Sequence, residues 1–190
     1  FMMRVGDPLM VVPSVFSMMT VIDMFNPTMK LAESGDVGDV HVENGESQEI
    51  INTIYVFDID GTLLSPASLS RKLLNEAITE ITGFLPDLQY KDVAGCTDPS
   101  IVEKALGKAG ISPTKTSELL SRILDYYSEK TEEVFPVSEK PFVYEDAVVF
   151  LDKVVASGSA VGLMTGNINR VAKVKLHRFN LWSTFPFGVF

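Results

Sequence analysis

Two short and unbroken apolar runs stand out along the chain, and each ends abruptly at polar residues. The first is IYVF at 54–57, which Asp58 closes, and the second is AVGLM at 160–164, which Thr165 closes. A short apolar run without alternation is typical of a strand that is buried on both faces of a parallel sheet. The pattern therefore predicts two parallel strands that lie far apart in the sequence.

The residues between and after these runs show the periodicity of amphipathic helices. In the first such stretch Leu74, Ile78 and Ile81 share one face, and Gly83 ends it. Similar stripes predict five helices, at 70–82, 99–109, 116–134, 145–156 and 168–178, and a third strand is expected over 185–190. This order of elements predicts an α/β fold with a helical insertion after the first strand.

The first 49 residues form a separate region, in which an apolar segment is followed by an acidic linker. Pro13 and Asp23 interrupt the apolar segment at 8–25, which is shorter than the roughly 20 apolar residues that a membrane-spanning helix needs. We therefore expect no membrane span, and interpret the segment as a flap that packs on the domain or stays loose, with a targeting signal left open. Residues 33–49 are acidic and dotted with glycine, which is typical of a solvated linker.

Charge and cysteine content narrow the functional classes. The 190 residues carry a net charge of −9, and the first 50 of them hold eight acidic and two basic residues. An acidic chain is a poor match for a phosphate backbone, so we expect no nucleic-acid partner. The single cysteine excludes a disulfide framework and fits a reducing compartment, for which we expect a cytoplasmic location.

Candidate chemistry begins where the first strand ends, at Asp58, Asp60, Gly61 and Thr62. Ligands bind at the carboxyl ends of the strands in open α/β sheets. One carboxylate there can attack an electrophile, a second can carry a proton, and the two together can hold a hard cation such as Mg²⁺. Aspartate and glycine also close strands into ordinary turns, so this motif alone leaves a structural role equally open.

The second strand ends in a comparable group of residues, Thr165, Gly166 and Asn167. A hydroxyl, a flexible backbone and a following helix N-terminus can bind an anion, although Asn167 could simply cap the helix. Across a parallel sheet, the two motifs would place two carboxylates against a phosphate-sized site. That combination predicts phosphoryl transfer to a carboxylate, with Mg²⁺ offsetting the repulsion between the anions.

The motif DIDGTLL at 58–64 resembles the first motif of the haloacid dehalogenase superfamily, and LMTGN at 163–167 resembles the second. The stretches AGCTD at 94–98 and LW at 181–182, together with FPFG at 185–188, are similar to the phosphoglycolate-phosphatase-like branch. The resemblance covers about residues 50–190. It implies a Rossmann-like parallel sheet at 50–65 and 137–190, with a helical cap at 66–136 that closes over the site.

The resemblance also implies roles for individual residues. Asp58 would be the nucleophile that forms an aspartyl-phosphate, and Asp60 the general acid and base; both would lie on Mg²⁺. The expected phosphate-binding residues are Gly61, Thr62, Thr165, Gly166 and Asn167. The implied activity is Mg²⁺-dependent hydrolysis of a small phosphomonoester. A phosphomutase and a non-catalytic interaction protein on the same scaffold are the alternatives.

Two parts of the family pattern are not found in the sequence. A later acidic motif is absent, so we interpret the chain as truncated at its C-terminus, with little or no turnover expected. The fourth strand of the family would lie against 54–57, and its absence would leave an exposed apolar edge. A basic residue against the phosphate is also expected. Lys175 is predicted to be too far along its helix to serve, and Lys173 and Lys175, like Arg170 and Arg178, to face solvent.

One segment of the expected cap contains residues with two possible roles. Asp98 could face a substrate, but helix capping by Asp98 with Pro99 in the first turn accounts for the pair fully. Cys96 is expected to be a buried or idle thiol. Neither residue is therefore predicted to belong to the site.

Overall fold

A computed structural model describes residues 19–23 and 53–190 of the chain. The strands are β1 (Met19–Asp23), β2 (Thr53–Phe57), β3 (Leu64–Ser65), β4 (Phe142–Val143), β5 (Ala160–Met164) and β6 (Gly188–Val189). The helices are α1 (Leu69–Thr82), α2 (Tyr90–Val93), α3 (Asp98–Lys108), α4 (Pro113–Val134), α5 (Glu145–Ala156) and α6 (Asn169–Arg178), with a short 3₁₀ helix at Trp182–Thr184. None of the helices in these two ranges combines the length and the apolar composition that crossing a membrane requires.

The main sheet confirms the predicted α/β class. Its strand order is β1-β2-β5-β6, with β2, β5 and β6 parallel to one another. The two predicted central strands are neighbours, and Phe57 pairs in register with Leu163 at their carboxyl ends. This register brings the polar residues that follow each strand to the same edge of the sheet.

The helices that the periodicity predicts are also confirmed, with boundaries shifted by three residues or fewer. Helix α5 begins and ends at the predicted residues, whereas α4 begins earlier, at Pro113. The apolar stripes of the helices face a continuous core that includes Phe57, Ile59 and Leu163. Burial of those stripes, rather than helix propensity alone, holds the helices in place.

The edge of β2 is not exposed, contrary to the sequence-based expectation. Strand β1 pairs with β2 antiparallel over its whole length, from Met19 opposite Phe57 to Asp23 opposite Thr53. The apolar N-terminal segment therefore supplies a strand that covers this edge. The expectation was wrong because it considered only parallel strands that come later in the chain. The acidic linker at 33–49 lies outside the described residues.

A second, two-stranded sheet lies where the chain leaves the main sheet and returns to it. Strands β3 and β4 pair antiparallel, and the amide of Tyr144 donates to the carbonyl of Leu63. We call residues 66–141, between these strands, the insertion; they contain α1 to α4. The division into a core at 50–65 and 137–190 and a cap at 66–136 stays a prediction.

Candidate active site

The chain turns sharply directly after β2, and this turn places two carboxylates at the edge of the sheet. The carbonyl of Ile59 accepts hydrogen bonds from the amides of Leu63 and Leu64 at 2.9 and 3.0 Å. Gly61 has a φ of +84°, a left-handed conformation that residues with a side chain rarely adopt. Asp58 and Asp60 stand on the first half of this turn, so glycine is needed here by the backbone itself.

The residues after β5 meet Asp60 at the same edge. The side-chain amide nitrogen of Asn167 donates to Asp60 Oδ2 at 3.1 Å and to Thr165 Oγ1 at 2.8 Å. Thr165 and Asn167 are 8% and 4% exposed. The two strand ends therefore share one hydrogen-bonded group, as their positions in the sequence predict.

Lys175 belongs to this group, and the expectation that it faces solvent was wrong. Its side chain is fully buried, and Nζ lies 2.5 Å from Asp60 Oδ2 and 2.5 Å from Asn167 Oδ1. Helix α6 begins only at Asn169, so Lys175 is about 9 Å along it. Helical side chains lean towards the N-terminus of their helix, which lets the long lysine side chain return to the strand ends.

The other basic residues of α6 contact the insertion rather than the site. Arg170 forms a two-point ion pair with Glu132 of α4, with both distances 2.6 Å. Arg178 donates to the backbone carbonyls of Phe135 and Pro136. Among the four residues expected to face solvent, Lys173 is exposed as predicted. The basic face of α6 thus mainly holds the insertion against the sheet.

Asp58 carries a strained charge. Burial raises the pKa of its carboxyl from 3.8 to about 6, and the neighbouring Asp60 raises that pKa further. The backbone amide of Ile59, a side-chain hydrogen bond with Thr165 and the charge of Lys175 lower it in part. An anionic group that is poorly solvated and only partly compensated is disposed to react with an electrophile or to bind a cation.

Two buried oxygen atoms beside these groups have no hydrogen-bond partner among the described residues, namely Asp60 Oδ1 and Thr62 Oγ1. Thr62 is 1% exposed. Buried polar atoms are normally paired, so these two indicate groups that a ligand would satisfy. The roles expected for Gly61, Thr62, Thr165, Gly166 and Asn167 in phosphate binding stay predictions.

Gly166 is required by close packing, not by the flexible backbone that the sequence suggested. A Cβ atom on this residue would lie 2.4 Å from the carbonyl oxygen of Cys96 and 3.1 Å from Cα of Thr97. Both of those atoms belong to the backbone of the insertion, so neither can rotate away. The loop after β5 and the loop before α3 therefore touch directly at Gly166.

We expect Gly166→Ala to destabilise the protein by about 1–3 kcal/mol, because the two backbones must separate to admit the methyl group. The matched control is Gly107→Ala, in α3, where an added Cβ meets nothing within 4 Å. That control should be neutral or stabilising by up to about 1 kcal/mol, since alanine favours the helix. Urea unfolding of both variants measures the difference, and equal stabilities would contradict the close packing at Gly166.

Together, the fold and this group of side chains define a class of protein. It is an α/β protein whose adjacent parallel strands end in a desolvated carboxylate, a second carboxylate and a buried lysine. Residues 55–189 match the family described as haloacid dehalogenase-like hydrolase. The chain belongs to this family.

Three solved structures illustrate the similarity in fold. A hydrolase from Pseudomonas syringae is 15% identical, with a TM-score of 0.50, and the match covers 70% of this chain and 58% of that one. A predicted phosphoglycolate phosphatase from Haemophilus somnus is 15% identical, with a TM-score of 0.48 and coverages of 70% and 59%. A family hydrolase from Entamoeba histolytica is 18% identical, with a TM-score of 0.48 and coverages of 70% and 56%.

The chain thus spans less than 60% of the length of these three proteins. No curated protein is significantly similar to it in sequence. Identities this low carry over the fold and not the substrate.

Proposed function

We propose that the chain hydrolyses a small phosphomonoester, with Asp58 as the nucleophile and Asp60 as the general acid and base. The observation that carries this proposal is the hydrogen-bonded series from Lys175 through Asp60 and Asn167 to Thr165, beside the desolvated Asp58. Membership of a hydrolase family supports the same reaction class. The roles are those that the resemblance of the two sequence motifs implies.

The reaction would proceed in two displacements. In the first, a carboxylate oxygen of Asp58 attacks phosphorus, the bond from phosphorus to the leaving oxygen breaks, and Asp60 gives that oxygen a proton. In the second, water attacks the aspartyl-phosphate while Asp60 accepts a proton from it. The bond between phosphorus and Asp58 then breaks, which releases phosphate and restores both carboxyl groups.

The contacts of Asp60 suit this task. Its Oδ2 atom is held by Lys175 and Asn167, so the orientation of the carboxyl group is set before any substrate arrives. Its Oδ1 atom has no partner among the described residues and is the oxygen that could carry the proton. The positive charge of the buried Lys175 would also offset the negative charge of an incoming phosphate.

The donor set fits Mg²⁺. The carboxyl groups of Asp58 and Asp60 would hold the cation, which commonly takes one or two carboxylates and completes its shell with water and substrate phosphate. No cluster of three or more acidic, histidine or cysteine ligands occurs in the described part of the chain. The unpaired Asp60 Oδ1 and the raised pKa of Asp58 are both consistent with a missing positive charge. When bound, Mg²⁺ would polarise the phosphoryl oxygens and reduce their repulsion of Asp58.

We expect the affinity for Mg²⁺ to fall as the pH drops below about 6, the raised pKa of Asp58, because protonation removes the charge of a ligand. Between pH 7 and pH 5 the ionised fraction of Asp58, and with it the affinity, should decrease by about tenfold. Isothermal titration calorimetry measures the affinity, and carbon-13 NMR of the metal-free protein measures the pKa. An affinity that is constant over this range would exclude Asp58 as a ligand.

The proposed function is tested by hydrolysis of p-nitrophenyl phosphate with Mg²⁺ and by binding of beryllofluoride, which mimics an aspartyl-phosphate. Release of free phosphate supports a phosphatase, whereas transfer to an added sugar with no release would indicate a mutase. A folded protein that neither releases phosphate nor binds beryllofluoride would overturn the proposal in favour of a non-catalytic scaffold.

A further inference from the structure

The N-terminus of α3 makes a two-point contact with the loop after β5. Asp98 Oδ2 accepts a hydrogen bond from the amide of Ile168 at 3.0 Å, and the amide of Asp98 donates to the carbonyl of Gly166 at 2.7 Å. Asp98 is 7% exposed although it carries a carboxyl group. The insertion and the loop that follows β5 are thus joined through both the backbone and the side chain of one residue.

Helix capping does not account for Asp98, contrary to the expectation from the sequence. The N-cap is Thr97, whose hydroxyl accepts from the amide of Ser100 at 3.4 Å. Asp98 is the first helical residue, and its carboxyl group points across to Ile168 instead of along its own helix. A single-residue shift of the cap therefore turns a local capping group into a contact between distant parts of the chain.

This contact lies at the junction of all the elements that build the site. Ile168 directly precedes α6 and follows Thr165 and Asn167, so its position sets where the helix that carries Lys175 begins. The approach of the Cys96 carbonyl to Gly166 holds the same two loops together through an independent contact. The charge of Lys175 acts favourably on Asp98, which places the carboxyl group near the buried lysine.

We propose that Asp98 is a positioning residue that ties the insertion to the loop at 165–168 and thereby holds Thr165, Asn167 and Lys175 in register with Asp58 and Asp60. The proposal rests on the proposed function for its consequence in catalysis but not for the contact itself. Asp98 would act through the amide of Ile168 and would not touch the substrate. A displacement of about 1 Å at such a loop can lower a reaction rate by about a hundredfold.

Amide hydrogen exchange at Ile168, followed by NMR on the full chain, tests the contact without any need for activity. We expect Asp98→Ala to raise the exchange rate of this amide by about tenfold or more, because a hydrogen bond to a carboxylate is lost. Asp98→Asn keeps an acceptor oxygen and should change the rate by less than about threefold. The control is Glu103→Ala, at an exposed acidic position of the same helix, which should leave the rate unchanged.

The catalytic consequence is measured separately, with p-nitrophenyl phosphate and Mg²⁺. We expect kcat/KM to fall by about a hundredfold in Asp98→Ala, mainly in kcat, with rescue to within about fivefold in Asp98→Asn. If the unsubstituted chain shows no hydrolysis, the proposed function fails while the exchange experiment still decides the positioning role. Unchanged exchange at Ile168 in Asp98→Ala overturns the proposal, as does an equal effect of Glu103→Ala. Should Asp98→Ala not fold, the shorter Asp98→Ser serves in its place and is judged by the same exchange criterion.

Discussion

Replacing Lys175 by methionine is expected to lower the free energy of unfolding by about 2–4 kcal/mol and to abolish measurable phosphoryl transfer. The substitution keeps the length and volume of the side chain but removes its charge and its donors. Asn167 Oδ1 and Asp60 Oδ2 each lose a partner at 2.5 Å. Removing one member of a buried ion pair typically costs about 3–5 kcal/mol because the other charge stays behind.

The expected cost is at the lower end of that range because water can partly replace the lysine. The side chain of Asp60 is 32% exposed, so its charge keeps some solvation when Lys175 is removed. The buried oxygen of Asn167 has no such access, since that residue is 4% exposed. Most of the loss should therefore persist in a Lys175→Met protein at neutral pH.

The matched control is Lys173→Met, the same change at an exposed position of the same helix. It should alter stability by less than about 0.5 kcal/mol. Adding Asp60→Asn to Lys175→Met should recover part of the loss, because it removes the unpaired charge. Urea unfolding measures all three proteins, and equal stabilities of the two methionine variants would show that the buried contact contributes nothing.

Asp58→Asn is expected to lower kcat/KM by at least about a thousandfold, equivalent to about 4 kcal/mol of transition-state stabilisation. An amide cannot attack phosphorus to form a stable aspartyl-phosphate, although it has almost the same shape as the carboxylate. The same variant should be more stable at pH 7 by an amount on the order of 1 kcal/mol. The reason is that burial raises the pKa of the Asp58 carboxyl to about 6, so the ionised form opposes folding.

The stability difference has a defined dependence on pH. In the unfolded chain Asp58 loses its proton near its ordinary pKa of 3.8, and in the folded chain near 6. The unsubstituted protein should therefore lose stability relative to Asp58→Asn as the pH rises from about 4 to about 6, and the two should converge below that range. Asp152→Asn, at an exposed position of α5, is the control for both activity and stability. Full activity in Asp58→Asn would remove Asp58 as the nucleophile.

The main elements could be predicted from the sequence because their patterns are local. The run at 160–164 is unbroken and apolar, and β5 begins and ends at those residues. The helical stripe at 145–156 likewise matches α5. Asp58, Asp60, Thr165 and Asn167 follow directly from such strands, so their shared edge was predictable from the parallel arrangement alone.

Lys175 and Asp98 could not be predicted by the same reasoning, because each has a plausible local explanation. A lysine on an amphipathic helix is normally assigned to solvent, although Lys175 lies four residues after the buried Val171 and beside the buried Leu176. That spacing was the signal for its burial. Asp98 precedes a proline at a helix start, which is where a capping residue is expected, and only the fold reveals that Thr97 takes that role.

The pairing of β1 with β2 also has a consequence for how the sheet meets other chains. Five residues of β2 would offer unpaired amides and carbonyls on one side if β1 were removed, and such a bare margin is a template for strand exchange between molecules. The N-terminal strand therefore acts as a built-in guard against self-association. A chain shortened to start at Thr53 would be expected to form dimers or larger species as its concentration rises.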